Sequence, residues 1–361
     1  MKNEVIDNSV YWNLSQTLTH NMLINIIVGN RGGGKSFGAK KRGIDNFINS
    51  NGKEQFGYIR RYKDDLKEPM IQFFKDIEYM YPDYEFKVDS KYFYIRLKPA
   101  NKDEKWTEKD IAGYGFTLST ASNKKSISYP RVTTLIYDEF LIDKGNQQYL
   151  ADEPIKLLNL YETVARPGTD HPRVVLFMLA NALTITNPYF LFWNLKMPTK
   201  QDKNGKWVWK HPTRPILVED VRNEAFIDRK KNTEFGRLVD GTKYADYSIN
   251  NKFLLDDDTF LGKRSPKARY YFTFIYKNHT LGVWVDFIEG KMYVSNDVDP
   301  QYPLMYSLTL KDHKPNTMFL KNKNKAGHFK KFLEAYQQGN VVFETMNIKN
   351  ITYEVIQMSY M

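Results

Sequence analysis

The 361-residue chain contains no cysteine. Disulfides and thiolate metal sites are therefore excluded. Its six histidines are scattered, and none falls at a paired metal-ligand spacing. No stretch approaches the ~20 apolar residues needed to span a bilayer. The first residues, Met1-Lys-Asn-Glu-Val-Ile-Asp7, mix charges and are unlike a signal peptide, so a cytosolic location is expected. Internal repeats and low-complexity tracts are missing as well.

What the chain has in quantity is aromatic and basic residues. Apolar residues make up 42% and aromatics 15%, with 25 Tyr and 23 Phe. This length predicts two domains with a small bridging element between them. The net charge of +11 points to a polyanionic partner, either nucleic acid or an anionic membrane, although many soluble proteins are basic without one.

One segment carries far more information than composition does. Gly29-Asn-Arg-Gly-Gly-Gly-Lys-Ser36 directly follows the apolar run Met22–Val28. A glycine, four residues and then Gly34-Lys35-Ser36 make a complete phosphate-binding loop. Glycines let successive N–H groups point at phosphates. Lys35 would reach the β- and γ-phosphates and Ser36 would ligate Mg²⁺. A helix starting near Lys35 adds its positive dipole end. The expected nucleotide contacts are Gly29, Asn30, Arg31, Gly32, Gly33, Gly34, Lys35, Ser36 and Phe37, with Arg31 facing either the nucleotide or a neighbouring subunit.

Strand-like and helix-like segments alternate over the first ~200 residues. Strands are expected at 23–28, 55–60, 116–121, 132–137 and 173–179, with a hairpin at 86–88 and 92–97. Helices are expected at 37–50, 69–81 and 152–165, the last capped by Asp152 with Pro154 in its first turn. This alternation predicts a mainly parallel sheet covered on both faces.

Asp138 and Glu139 end the apolar run 132–137, which places them at the carboxyl edge of such a sheet, where ligands of α/β folds bind. Asp138 would complete the Mg²⁺ shell, and Glu139 would polarise an attacking water as general base. Asn181 ends the next strand, either as a γ-phosphate sensor or as a turn former. Arg166 closes the 152–165 helix, where it either complements the helix dipole or extends as an arginine finger into a neighbour's site. Lys124 and Lys125 lie in the loop before the Asp138 strand, where they either assist similarly or touch a nucleic-acid backbone.

Gly29–Ser36 together with Tyr58-Ile-Arg-Arg-Tyr-Lys63, Leu118-Ser-Thr-Ala121, Leu135-Ile-Tyr-Asp-Glu-Phe140 and Leu160-Tyr-Glu-Thr163 with Arg166-Pro167 resembles a known family. It is that of the encapsidation proteins, the double-stranded DNA-packaging ATPases of small podoviruses with protein-primed genomes. The resemblance covers residues ~20–200 well. It implies a P-loop ATPase of the additional-strand, catalytic-glutamate class, with ATP and Mg²⁺ as cofactors. It also implies a pentameric ring on the portal of an empty capsid in the host bacterial cytoplasm, driving DNA inward. Lys35, Ser36, Asp138 and Glu139 match the family's phosphate-loop pair, metal-shell acid and catalytic glutamate, and Arg166 matches its trans-acting arginine. Arg60, Arg61 and Lys63 resemble a pore-facing basic loop that tracks DNA through phosphate contacts.

The expected organisation is an ATPase domain over 1–200, a linker over 201–245, and a basic domain over 246–361. Strand-like runs at 269–276, 281–287 and 291–295 suggest a ribonuclease H-like α/β domain. The metals of such nucleases require a carboxylate on the first strand, and Tyr270-Tyr-Phe-Thr-Phe-Ile-Tyr276 has none. Asp286, Asp297 and Asp299 do not replace it, so no nuclease activity is expected. From residue 263 onward 14 Lys/Arg face eight Asp/Glu. The densest part, Lys321–Lys325 with Lys330 and Lys331, is either solvated or a contact for DNA, a structural RNA or the portal. A rival reading is a nucleotide-gated nucleic-acid-binding scaffold with little turnover.

Overall fold

A computed structural model describes residues 11–99, 104–120, 127–142, 149–150, 152–166, 173–181, 187–222, 224–242, 260–320 and 327–360. The chain divides into two units, 1–255 and 256–361.

The first unit carries helix α1 (Leu14–Leu18), strand β1 (Ile24–Gly29), α2 (Lys35–Asn49), β2 (Gln55–Arg60), α3 (Lys67–Lys75), β3 (Tyr84–Asp89), β4 (Tyr92–Leu97), β5 (Ile111–Thr117), β6 (Val132–Asp138), α4 (Glu153–Ala165), β7 (Val175–Asn181), α5 (Pro188–Trp193), β8 (Trp207–Lys210), β9 (Ile216–Val221), α6 (Glu224–Lys231) and α7 (Glu234–Val239). Nine strands form one sheet in the order β3-β4-β5-β2-β6-β7-β1-β9-β8. The six from β5 to β9 are parallel, and antiparallel strands close both edges. Strands β1, β6 and β7 are mainly apolar and buried along nearly their whole length, because both faces of the sheet are covered. Ile26, Val28, Leu135, Tyr137 and Leu176 pack on one face, and Ile27, Ile136, Phe177 and Leu179 on the other.

Three expectations need correction. The expected linker contains β8 and β9, which belong to this sheet, and β9 lies parallel beside β1. Its acids are buried with partners: Glu219 accepts from Trp12 Nε1 at 3.0 Å and Lys206 Nζ at 2.7 Å, while Asp220 pairs with Arg222 at 2.6 Å. The strand expected at 116–121 instead spans Ile111–Thr117, where Gly113 and Gly115 leave room for Phe56 and Met70: a Cβ on either glycine would approach them to 2.7 and 2.5 Å. Asp152 does not cap α4 through its side chain, because its φ of 52° turns it away. The Glu153 carboxylate accepts Leu150 N–H at 2.8 Å instead.

Glu153 also makes the most deeply buried ion pair among the described residues of this unit. It accepts Arg61 Nε at 2.8 Å, Arg61 Nη2 at 3.0 Å, Tyr137 Oη at 2.8 Å and Tyr189 Oη at 2.7 Å. The Glu153 side chain is 0% exposed and that of Arg61 4%. One carboxylate thus joins the ends of β2 and β6 to the starts of α4 and α5.

The second unit contains β10 (Arg269–Tyr276), β11 (His279–Asp286), β12 (Lys291–Ser295), β13 (Met305–Ser307), β14 (Met318–Phe319), α8 (Gly327–Gln337), β15 (Val341–Phe343) and α9 (Met346–Tyr360). Its sheet runs β14-β13-β10-β11-β12-β15, antiparallel from β10 to β12 and parallel elsewhere. Phe272, Phe274, Tyr306, Phe329 and Phe332 form its aromatic core. Among the described residues of both units, no helix is long and apolar enough to cross a membrane.

The buried pair gives a stability test. Glu153→Ala strands the Arg61 guanidinium and should cost ~3–5 kcal/mol, seen as a lower midpoint in urea denaturation. Glu153→Gln keeps acceptors for the two tyrosines and should lose less.

Candidate nucleotide site

The loop between β1 and α2 is shaped by its glycines. Gly32 and Gly34 have φ of 88° and 84°, values that L side chains rarely adopt. Gly29 has no room for a side chain, since a Cβ there would lie 2.7 Å from Val221 Cβ. The loop is held from the amino-terminal side by Trp12 N–H, which donates to the Gly33 carbonyl at 3.0 Å. Tyr11 rests against Gly34.

Lys35 opens α2 and points its Nζ back into the loop, donating to the carbonyls of Gly29 at 2.9 Å and Asn30 at 2.7 Å. Burial pushes its ammonium down to about 8 from the ordinary 10.5. An anion placed there would restore the charged form, so the loop fits phosphate.

Ser36 Oγ donates to Asp138 Oδ1 at 3.0 Å. These two oxygens, on α2 and β6, are the hard donors that Mg²⁺ takes alongside phosphate and water. Burial raises the Asp138 carboxyl above its ordinary value, opposed by the Arg60 charge. Tyr58 Oη donates to Asp138 Oδ2 at 3.4 Å.

Glu139 follows at once with φ of 56°. This left-handed turn ends β6 and throws the Glu139 side chain outward, 65% exposed, while Phe140 N–H returns to the Leu179 carbonyl at 3.2 Å. A non-glycine residue held there stores of order 1–3 kcal/mol. Arg60 Nη2 holds the Glu139 carboxylate at 2.6 Å.

The structure therefore brings Lys35, Ser36, Asp138 and Glu139 to one edge of the sheet, and Asn181 joins them, paired with Gly29 across β7 and β1. Arg31 is exposed at the loop's outer side, and Phe37 packs among the core residues under α2.

Arg166 lies elsewhere. α4 starts near the carboxyl end of β6 and runs back along the sheet, so its 13 residues carry Arg166 ~20 Å toward the opposite edge. There Arg166 Nη2 donates to the Ile127 carbonyl at 3.1 Å.

The basic pair on β2 needs a correction. Successive residues at a strand end point to opposite faces. Arg60 accordingly turns to Glu139, while Arg61 is buried against Glu153 and donates to the Phe140 carbonyl at 2.6 Å. Of the expected trio Arg60 is half-buried, Arg61 is buried and Lys63 is exposed. Lys124 and Lys125, and Lys321–Lys325 of the second unit, lie outside the described residues, whereas Lys330 and Lys331 are exposed on α8. The acids Arg60 and Arg61 serve, 79 and 92 residues on, leave no local signal in the sequence.

In the second unit Asp286 is consumed by structure, accepting Ser265 Oγ at 2.6 Å and Ile288 N–H at 2.8 Å. Asp297 pairs with Arg264 at 2.9 Å. Among the described residues no group of three or more His, Asp or Glu is arranged to hold a metal.

A family model described as podovirus DNA encapsidation protein (Gp16) matches residues 6–360. The DNA packaging protein of Bacillus phage phi29 is 36% identical over 352 residues, covering 98% of each chain. That of Bacillus phage B103 is 36% identical over 340 residues, covering 94% of this chain and 98% of its own. A chain of the bacteriophage Phi-29 viral genome packaging motor assembly is 34% identical and superposes with a TM-score of 0.74, covering 97% of this chain and 99% of that one.

The Lys35 environment sets a pH dependence. Bound phosphate favours the ammonium, so binding must take up a proton wherever free Lys35 is neutral. Affinity should be complete below about pH 8 and fall, by at most about tenfold per pH unit, as pH rises above it. Calorimetry of ADP binding at pH 8.5–9, in two buffers of different ionisation heat, should report uptake of up to one proton. Identical heats in both buffers would show that Lys35 stays charged.

Proposed function

The chain belongs to the podovirus DNA encapsidation protein family, and from that membership we propose that it is the ATP-driven subunit of a motor that moves double-stranded genome DNA through the portal into a procapsid. The observation that carries the ATPase part is the meeting of Lys35, Ser36, Asp138 and Glu139 at the carboxyl edge of a parallel sheet.

In this reading Lys35 exchanges the Gly29 and Asn30 carbonyls for phosphate oxygens. Ser36 and Asp138 hold Mg²⁺, which supplies charge neutralisation on the phosphates. Glu139 leaves Arg60 and takes a proton from the attacking water. Arg60 thereby sets whether Glu139 is available, since a carboxylate held at 2.6 Å by a guanidinium is a poor base. Asn181 contacts the γ-phosphate from β7. Arg166, directed away from its own loop, serves a neighbour's site in a ring, which the family resemblance makes a pentamer.

Lys63, at the carboxyl edge beyond β2, is the residue of the expected basic loop that this geometry leaves for DNA phosphates. The second unit is read as a ribonuclease H-like domain without nuclease activity. Its antiparallel trio extended by β13 and β14 beside β10 supports the first part, and the structural use of Asp286 and Asp297 the second. Its basic surface is read as a contact for the portal, for DNA or for a structural RNA.

Purified protein should hydrolyse ATP faster in the presence of double-stranded DNA. Glu139→Gln should bind ATP with near wild-type affinity and lose turnover by ~10²–10⁴-fold. Full activity in that variant would sink the mechanism, and negligible wild-type turnover would favour a nucleotide-gated scaffold.

The ring is tested separately. Arg166→Ala and Lys35→Ala should each be inactive, yet mixing them should restore part of the hydrolysis, because some interfaces then pair an intact loop with an intact finger. Near-zero rates in every mixture would show that Arg166 does not act across an interface, and undiminished hydrolysis by Arg166→Ala alone would place it outside catalysis.

A further inference from the structure

The outer side of the phosphate loop is covered by α6, which follows the last strand of the sheet. Phe226 sits against Gly32, where a Cβ would lie 3.3 Å from the Phe226 ring. One turn later Lys230 Nζ donates to the Arg31 carbonyl at 3.3 Å. Residues four apart share a helix face, so Phe226 and Lys230 present the same side of α6 to the loop, and the Lys230 ammonium lies 6.0 Å from the Phe226 ring.

Lys230 is also close enough to Lys35 for the two charges to repel, adding to the burial that lowers the Lys35 ammonium. Burial and the nearby Arg31 charge lower Lys230 in turn. Three cations from three elements thus converge on one loop. Asp138 and Asp220 are the acids whose charge reaches Lys35. Like charges gathered in a part-buried site are unfavourable until an anion enters between them.

The helix is not isolated. Gly236 of α7 fits so closely on the end of α6 that a Cβ would lie 2.2 Å from the Lys230 carbonyl and 2.5 Å from that of Lys231. Thr233 caps α7 from the two-residue connection, with its Oγ1 accepting Gly236 N–H at 3.0 Å. Any displacement of Lys230 along with its backbone therefore carries both helices.

We propose that Lys230 is a cis-acting phosphate ligand, which leaves the Arg31 carbonyl for the terminal phosphate of a bound nucleoside triphosphate and draws the α6–α7 pair onto the occupied loop. This rests on the reading of Gly29–Ser36 as a nucleotide site. It adds a residue that distinguishes triphosphate from diphosphate, and a segment that reports which one is present.

The test compares a non-hydrolysable ATP analogue with ADP on the full chain. Lys230→Met should weaken the analogue about tenfold, the size of one hydrogen bond between charged groups, and change ADP less than twofold. Lys230→Arg should recover most of the loss. Hydrogen exchange of residues 224–239 should slow when the analogue binds wild type, and not in Lys230→Met. Equal weakening of both nucleotides, no weakening of either, or protection of 224–239 retained in Lys230→Met would each overturn the proposal. The underlying site is checked by Lys35→Ala. If that variant binds the analogue as wild type does, the nucleotide reading itself fails, whatever Lys230 does.

Discussion

The buried pair of Arg61 and Glu153 is the contact on which the geometry of the site depends. Arg61 follows Arg60, and Tyr137 precedes Asp138 and Glu139. Because Glu153 binds Arg61 and Tyr137 together, the same carboxylate sets the register between the ends of β2 and β6. That register puts Arg60 on Glu139 and Tyr58 on Asp138. A buried ion pair contributes little net stability compared with apolar residues of the same shape, yet losing one partner is costly. Its value here is positional: two consecutive residues on each strand have their directions decided by one carboxylate hidden beneath them.

Much of the first sheet was legible because its central strands are mainly apolar runs, and the glycine loop was legible because Gly29, Gly32 and Gly34 each answer a local backbone demand. That Lys35, Ser36 and Asp138 meet at one edge of the sheet follows from those two signals alone. Illegibility had specific causes. β9 reads Ile-Leu-Val-Glu-Asp-Val and looks like part of a polar linker, since nothing local shows that Glu219 and Asp220 are tolerated in a core: Trp12 lies 207 residues from Glu219, and Lys206 and Arg222 read as ordinary linker cations. β5 was displaced because Gly113 and Gly115 argue against a strand until the Phe56 and Met70 side chains above them are known. The expected helix over 69–81 ends at Lys75, where Asp76 is tied to Lys40 of α2 at 2.9 Å. The arginine doublet does not form one basic patch, because successive residues at a strand end point to opposite faces, Arg60 to Glu139 and Arg61 to Glu153.

The same directional rule separates the acids at the end of β6. Asp138, still in the strand, is turned inward to Ser36, and Glu139, one residue later in a left-handed turn, is turned outward to Arg60. In the proposed function Asp138 is a metal-shell acid, which must stay fixed, and Glu139 a general base, which must approach and leave a water. The backbone supplies both behaviours by ending the strand between them. Strain at Glu139 is then expected at a site of function, being sustained by the Phe140–Leu179 hydrogen bond and the Arg60 contact on either side.

Helix direction extends this logic beyond one subunit. In a parallel sheet every crossover helix runs against the strands, so a residue at its carboxyl end is delivered to the edge away from the phosphate loop. Arg166 is such a residue, and the Glu153 anchor at the other end of α4 fixes how far away it falls. No rotamer of a single side chain spans a helix of 13 residues. Under the proposed function, a charge that completes this kind of site from that position is one supplied to another copy of the chain, not to its own loop.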